Sequence, residues 1–330
     1  MSHYTHLTLY ERESILLFLA KEYTLSRIAK ELGRSKATIS RELRRNSHKQ
    51  EYVPLIAEEK YEKRRKRCRR RKRLSDPVLY EVVREKFLEQ QWSPEQIEGR
   101  LRLEKYPDPP SYKTIYRAIY AGMFDTKEQR RSEGNRGMIR RLRHRGKPRK
   151  TKNPNSRRGK MTISHSIEER PEAANTRSRY GDWEADTVQG KANGPRLVTL
   201  VDRKSRYLLC KKVPTERMDE VAQAMIDCLK GYPCESITPD RGKEFSRHGK
   251  VTEATGAEFY FALPRHPWQR GTNENTNGLL REYFPKKTDL ANVSDKEVQM
   301  VEDKLNRRPR KCLGYLSPFE VLFQTPLHLT

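Results

Sequence analysis

Near the start of the chain, apolar positions recur at helical spacing in three short runs. Residues 8–22 set Ile15, Leu16 and Leu19 on one face behind Glu11 and Glu13, and residues 25–32 do the same with Leu25, Ile28, Ala29 and Leu32. Gly33 supplies a sharp turn, and Ser35 caps a third run, 36–45, whose Ile39 and Leu43 face the first two. Lys36, Thr38, Ser40, Arg41, Arg44 and Arg45 stay outward on that run. The helical period returns over 75–122, with a helix over 76–90 and a second opened by Ser93-Pro94-Glu95-Gln96. A third follows Ser111, with Ile115, Tyr116, Ile119 and Tyr120 inward and Lys113, Thr114 and Arg117 outward. From about residue 178 the pattern becomes that of strands, over 182–188, 196–201, 206–213, 235–238 and 258–262. Between the third and fourth, a helix capped by Thr215 turns Met218, Val221, Ala222, Met225, Ile226 and Leu229 inward. The strongest helix follows Arg270-Gly271-Thr272: Thr276, Leu279, Leu280 and Tyr283 share one face, and Glu274, Asn277, Gly278 and Arg281 the other. Residues 295–322 are helical with interruptions at Pro309 and Pro318. The predicted class is multidomain, with all-α modules in front and an α/β domain behind whose mixed sheet carries helices on its faces.

Charge turns the front half into a polyanion-binding surface. The 330 residues carry a net +26; residues 176–330 hold 26 Lys/Arg against 21 Asp/Glu, a net of +5, which leaves +21 for residues 1–175. With that charge, residues 1–50 read as a helix-turn-helix module whose last helix enters the major groove of DNA, rather than as a plain three-helix bundle. Residues 75–122 read as a second helix-turn-helix-like module, the alternative being a spacer bundle. Residues 51–74 are a basic linker: ten of the eleven residues over 63–73 are Lys or Arg, a run that repels itself until a polyanion neutralises it. A nuclear-localisation signal would have the same composition. Residues 123–175 form an extended basic connector with no acid over 134–167, and residues 176–330 form the α/β domain. No apolar run approaches 18 residues, so no membrane span is expected, and the first residues lack the basic and apolar regions of a secretion signal. Five cysteines without C-x-x-C spacing are expected to be reduced thiols in a cytoplasmic protein, with no structural zinc.

Three acids are candidates for chemistry: Asp186 in the first strand, Asp240 where Pro239 and Gly242 turn the chain after the fourth, and Glu274 on the strongest helix. Converging carboxylates repel one another unless a cation neutralises them, and hard oxygen ligands suit Mg²⁺, with Mn²⁺ as a substitute. Two such ions about 3.5–4 Å apart can activate an attacking water or hydroxyl and stabilise the leaving oxygen of a phosphodiester. Blander readings exist for each: a lone glutamate in a first helical turn simply suits the helix dipole. Asp182, Glu184 and Asp186 alternate onto one face, so periodicity does not choose among them. Asp202 reads as a turn partner of Arg203 or Arg206, Glu244 as a neighbour of Asp240, and His248 and His266 as surface residues. Arg265, Trp268, Gln269 and Arg270 are placed to hold a DNA strand, with Trp268 either stacking on a base or packing in the core.

The strings W-x-x-D-T, T-P-D-R-G-K-E-F and W-Q-R-G-T-N-E-N-T-N-G-L-L-R resemble the DDE transposase and retroviral integrase superfamily, which has an RNase H-like fold. G-D-W-E-A-D-T, L-V-D-R-K-S-R-Y, R-E-Y-F-P-K-K-T-D-L, L-N-R-R-P-R-K-C-L-G-Y and S-P-F-E-V-L more closely resemble the insertion-sequence-thirty group of bacterial transposases, along essentially the whole chain. The resemblance implies an RNase H-like catalytic domain over 176–330, with Asp186, Asp240 and Glu274 as catalytic acids and ligands of two Mg²⁺ ions. It alone favours Asp186 over Asp182 and Glu184. It implies double-stranded DNA as the partner, the element's terminal inverted repeats and a target, bound by the outward residues of both front modules. Arg270, Asn277 and Arg281 join them as candidate DNA contacts, on a surface suited to a phosphate backbone. Joining paired ends implies a homodimer or larger assembly on DNA, associated with the nucleoid. The His/Cys zinc pattern of retroviral integrases is absent, since His3 and His6 have no Cys pair nearby. A DNA-binding regulator with a degenerate back half is a rival reading, against which the full set of acids argues. A metal-dependent nuclease without strand transfer is another, and it would use the same acids.

Overall fold

The computed structural model describes residues 5–47, 51–68, 73–126, 137–142, 163–192, 194–215, 217–264 and 266–328. The chain divides into two compact units, 1–72 and 73–330. Most of the expected connector over 123–175, and residues 69–72 of the expected linker, lie outside the described residues.

The first unit contains α1 (Leu9–Ala20), α2 (Leu25–Glu31), α3 (Lys36–Asn46) and α4 (Pro54–Cys68). Thr8, Thr24 and Ser35 cap the first three, each accepting a backbone N–H of the first turn. Gly33 turns α2 into α3 at φ +61°, a conformation L side chains rarely adopt. Ile15, Ile28, Ala29 and Ile39 form the core as expected, but Leu16 is exposed and Arg12 points inward, 2% exposed. Arg12 is buried because it is paired: Nε donates to Glu42 at 2.8 Å, and Nη1 donates to Leu7 O at 2.6 Å and to Glu58. Where the sequence suggested a linker, α4 forms: Ala57 and Tyr52 are buried, and Glu58 reaches Arg12. Part of the basic run becomes its last turn, where positive charge suits the helix dipole.

The second unit opens with α5 (Pro77–Leu88), α6 (Pro94–Leu103) and α7 (Tyr112–Tyr120), capped by Asp76, Ser93 and Ser111. Val83, Phe87, Ile97, Leu101, Ile115 and Ile119 close its core, while Tyr120, expected inside, is exposed. After β1 (His165–Ser166) and α8 (Glu172–Thr176) come β2 (Asp182–Gln189), β3 (Arg196–Asp202), β4 (Leu208–Val213), α9 (Met218–Leu229), β5 (Ser236–Thr238), α10 (His248–Thr255) and β6 (Glu258–Phe261). Helices α11 (Gly271–Tyr283), α12 (Asp295–Asn306) and α13 (Pro318–Phe323) complete it. The strands lie in the order β1-β6-β5-β2-β3-β4: β2, β3 and β4 are antiparallel, while β5 runs parallel to β2, and β6 to β5 and β1. An antiparallel three-strand meander extended by parallel strands is the RNase H-like arrangement. Strand alternation divides the core: Trp183, Ala185, Val198 and Leu200 pack with α9, while Val188, Leu197, Val201 and Leu208 pack with Leu279 and Leu280 of α11 and with α12.

The helical bundle and the sheet are joined through α6. Arg100, 1% exposed, donates from Nη1 and Nη2 to both carboxylate oxygens of Glu320 on α13, at 2.7 and 2.9 Å. Gly99 lies against the Tyr315 ring, where any Cβ would collide. The five cysteines are free thiols, and no helix among the described residues is long and apolar enough to cross a membrane.

Candidate active site

Asp182, Glu184 and Asp186 all turn to the α11 face of β2, as alternation dictates, but their partners separate them. Asp182 is fully buried and held by Arg179 at 3.0 and 3.1 Å and by the Ser236 hydroxyl at 2.5 Å. Glu184 is fully buried against Arg203, and its other oxygen accepts the Asn273 backbone N–H at 2.8 Å. That carboxylate anchors the N-terminus of α11, where the helix dipole favours an anion. Asp186, 28% exposed, sits farther along the strand at the rim. Its Oδ2 accepts the Asn277 amide at 2.9 Å and its Oδ1 the Thr187 backbone N–H at 2.9 Å. Desolvation by surrounding protein pushes the Asp186 carboxyl above the usual range; Arg270 opposes this and Asp240 adds to it.

Asp240 arrives beside it through sheet register. Glu184 of β2 pairs with Thr238 of the parallel β5. Two residues beyond each partner stand Asp186 and Asp240, on the same face at the same level. Asp240 Oδ1 accepts the Gly242 N–H at 2.9 Å, closing the turn that follows β5. A Cβ at Gly242 would run into the Glu244 carboxylate and Asp240 Oδ1, so these carboxylates would have to move to admit one. Glu244 reaches the same rim, accepting the Thr187 hydroxyl at 3.2 Å, and its pKa is raised by burial and by Asp240.

Arg270 spans the two aspartates. Its Nη1 lies 3.6 Å from Asp186 Oδ1 and donates to Ala185 O at 3.0 Å, and its Nη2 lies 3.3 Å from Asp240 Oδ2. Glu274 is exposed in the first turn of α11, three residues before Asn277, so both occupy the stripe of the helix that faces Asp186. The structure thus brings Asp186 and Asp240 together and leaves Glu274 at the edge; among the described residues, no three His, Cys, Asp or Glu side chains form a metal-holding cluster. The donor chemistry still fits a hard divalent cation: rim carboxylates, with no soft ligand beside them.

The other sequence-derived residues divide. Lys36, Ser40, Arg41, Arg44 and Arg45 are exposed on α3, and Thr38 is half-buried near Ser35. Arg41 and Arg45 share a groove of about 500 Å³ with Arg64 and Arg65 of α4, extending the basic surface onto the added helix. Lys113 and Arg117 are exposed on α7, while Thr114 hydrogen-bonds the Ser111 hydroxyl at 3.0 Å. Two candidate DNA contacts also bond within the fold: Asn277 donates to Asp186, and Arg281 to Gln189 O at 2.7 Å. Trp268 is 68% exposed and meets the His266 ring edge-on, so the core alternative is excluded. Arg265 lies outside the described residues. Asp202 is a turn partner, but of Ser205 and the Gly181 N–H, while Arg203 belongs to Glu184. The sequence reading missed Asn273, Arg203 and Arg308. Arg308 links α11 to the bundle, donating to Glu282 of α11 at 2.7 Å and to Gln96 of α6 at 3.0 Å.

Residues 3–46 match a family described as a helix-turn-helix domain. The chain is 39% identical to the transposase for insertion sequence element IS1086 of Cupriavidus metallidurans, over 95% of its own length and 93% of that protein. It is also 39% identical to transposase InsI for insertion sequence element IS30A of Escherichia coli (96% and 83% covered), and 35% identical to the transposase for insertion sequence element IS4351 of Bacteroides fragilis (96% and 94%). Among solved structures, the catalytic core domain of BIV integrase is 16% identical over 43% of this chain and 93% of that one, with a TM-score of 0.35, too loose to add to the sheet order.

Proposed function

Because the chain belongs to the IS30 family of transposases, we propose that it cuts the ends of an insertion sequence and joins them to target DNA with Asp186, Asp240 and Glu274. The observation that carries this reading is the β2–β5 register, which sets two carboxylates at one exposed rim beside the helix that bears the third. A bound divalent cation, Mg²⁺ or Mn²⁺, would be held by these acids and would supply Lewis-acid activation of a water or a 3′-hydroxyl. The chain itself fixes the geometry. Asn277 orients Asp186, the Gly242 N–H orients Asp240, and Glu184 with Arg203 sets the start of α11 against β2. Glu244, beside Asp240, is placed to accept a proton from that rim. The first module would read the terminal inverted repeat through α3, and two ends held for joining call for two or more copies on DNA.

The test is a labelled element end incubated with plasmid target. Mg²⁺ and Mn²⁺ should support cleavage and joining, whereas Ca²⁺, larger and looser in geometry, should allow assembly without turnover. Activity that survives excess EDTA would overturn the metal-dependent reading. Cleaved ends that never join would favour a nuclease.

Recognition and affinity should separate by helix. In the full-length chain, Arg41→Ala or Arg44→Ala should relax discrimination at a few base pairs by about 1–3 kcal/mol, if the lost contact is bidentate to guanine. Neutralising Arg65, Lys66 and Arg67 on α4 should instead weaken specific and scrambled DNA alike, and lower the salt slope by about one unit per lost phosphate contact. Equal losses on both DNAs for the α3 variants would remove base reading from that helix.

A further inference from the structure

We propose that Arg270 is an internal cation that competes with the divalent metal for Asp186 and Asp240, and must leave them before the metal site can fill. This rests on the proposed metal role of the two acids. Within the fold Asp186 Oδ2 accepts from Asn277, Asp186 Oδ1 accepts the Thr187 N–H at 2.9 Å, and Asp240 Oδ1 accepts the Gly242 N–H. The Arg270 guanidinium lies between the acids, facing Asp186 Oδ1 at 3.6 Å and Asp240 Oδ2 at 3.3 Å. A divalent cation held by both acids would compete with the guanidinium for the space between them. Arg270 is also more enclosed than either acid, 15% exposed against 28% and 27%, so it covers the rim rather than hanging beside it.

Its position in the chain makes withdrawal possible. Arg270 ends the 3-10 turn Pro267–Arg270 and stands as the N-cap of α11 at φ −122°, ψ 36°, with no side-chain capping bond to lose. Contacts to Asp186, Asp240 and Ala185 O tie the guanidinium inward. Glu274 lies one helical turn further on. Two neighbouring carboxylates repel, and the Arg270 guanidinium between them offsets that repulsion until a doubly charged ion replaces it. Once displaced, the guanidinium faces solvent next to Trp268, where a DNA phosphate is the matching partner.

The experiment measures Mn²⁺ binding to the full-length chain without DNA, by calorimetry and by the loss of free Mn²⁺ electron paramagnetic resonance signal. Arg270→Gln should bind Mn²⁺ about tenfold more tightly than the wild type, because the competitor's share of the site is removed. Arg270→Lys, which keeps the charge but spans the two acids less well, should fall between them. Without metal, Arg270→Gln should melt below the wild type, and saturating Mn²⁺ should close that gap. Affinity unchanged or weakened in both Arg270 variants would overturn the competition. Wild-type Mn²⁺ binding by Asp186→Asn and Asp240→Asn would instead overturn the metal-site reading on which it rests.

Discussion

Asp186→Asn, Asp240→Asn and Glu274→Gln are each expected to yield cleaved and joined product about 10³-fold or more below the wild type, with binding of the element's end nearly unchanged. Each substitution removes a charge at the rim while leaving the sheet and α11 intact, so melting should stay close to that of the wild type. Glu184→Ala separates this effect from a structural one. By sequence alone, alanine at Asp182 or Glu184 would be tolerated; the structure reverses that expectation. Glu184 lies fully buried against Arg203 and holds the Asn273 N–H. Removing it leaves Arg203 without its buried partner, at a cost of about 3–5 kcal/mol. Activity should then disappear together with the thermal transition. Thermal melts beside the cleavage assay distinguish the cases: an active Asp186→Asn protein, or an inactive but fully stable Glu184→Ala protein, would move the catalytic role back along β2.

How much of this was legible follows from how local each signal is. The starts of α3, α6 and α7 were readable because Ser35, Ser93 and Ser111 cap them within three residues. The inward face of α11 was readable from its apolar spacing, and Leu279 and Leu280 are buried. The choice among Asp182, Glu184 and Asp186 was not, because alternation gives all three one face; strand pairing and distant partners separate them. Buried arginines were missed for the same reason. Arg12 sits three residues before Ile15, and Arg100 three residues after Ile97, each on its helix's apolar stripe. A basic residue there signals a buried pair, yet the partners, Glu42 and Glu320, lie 30 and 220 residues away. Arg270 looked like a DNA contact because its neighbours did. Its place between two aspartates depends on β5 lying beside β2, which no local pattern encodes.

Arg100→Ala is expected to produce the largest loss of stability and to blunt the second unit's response to acid. Glu320 is buried, which alone would raise its pKa. Hydrogen bonds from Arg100 and from the Ser317 and Leu327 backbone N–H groups outweigh this and hold it at about 2. An unfolded glutamate titrates near 4.3, so the folded value is depressed. The pair's contribution is therefore present in full above about pH 5 and is lost as pH falls through 4 toward 2, a change of about 3 kcal/mol. Removing Arg100 takes the charge partner from a buried carboxylate that keeps the Ser317 and Leu327 N–H groups, at a cost of about 3–5 kcal/mol at neutral pH. With the Arg100 hydrogen bonds gone, burial is opposed by the Ser317 and Leu327 N–H groups, so the Glu320 pKa moves up from its wild-type value and less stability is lost on acidification. Melts of the full-length chain from pH 7 to pH 3 should thus fall steeply for the wild type and more shallowly for Arg100→Ala. Glu320→Gln should cost less, because Arg100 keeps Glu104 at 2.7 Å. Parallel pH slopes for the wild type and Arg100→Ala would show that Glu320 does not depend on Arg100. Should the slopes diverge, the bundle of α5–α7 depends on α13 for its stability. A fragment ending at residue 122 would lack Glu320, so DNA reading by that bundle is best tested in the intact chain.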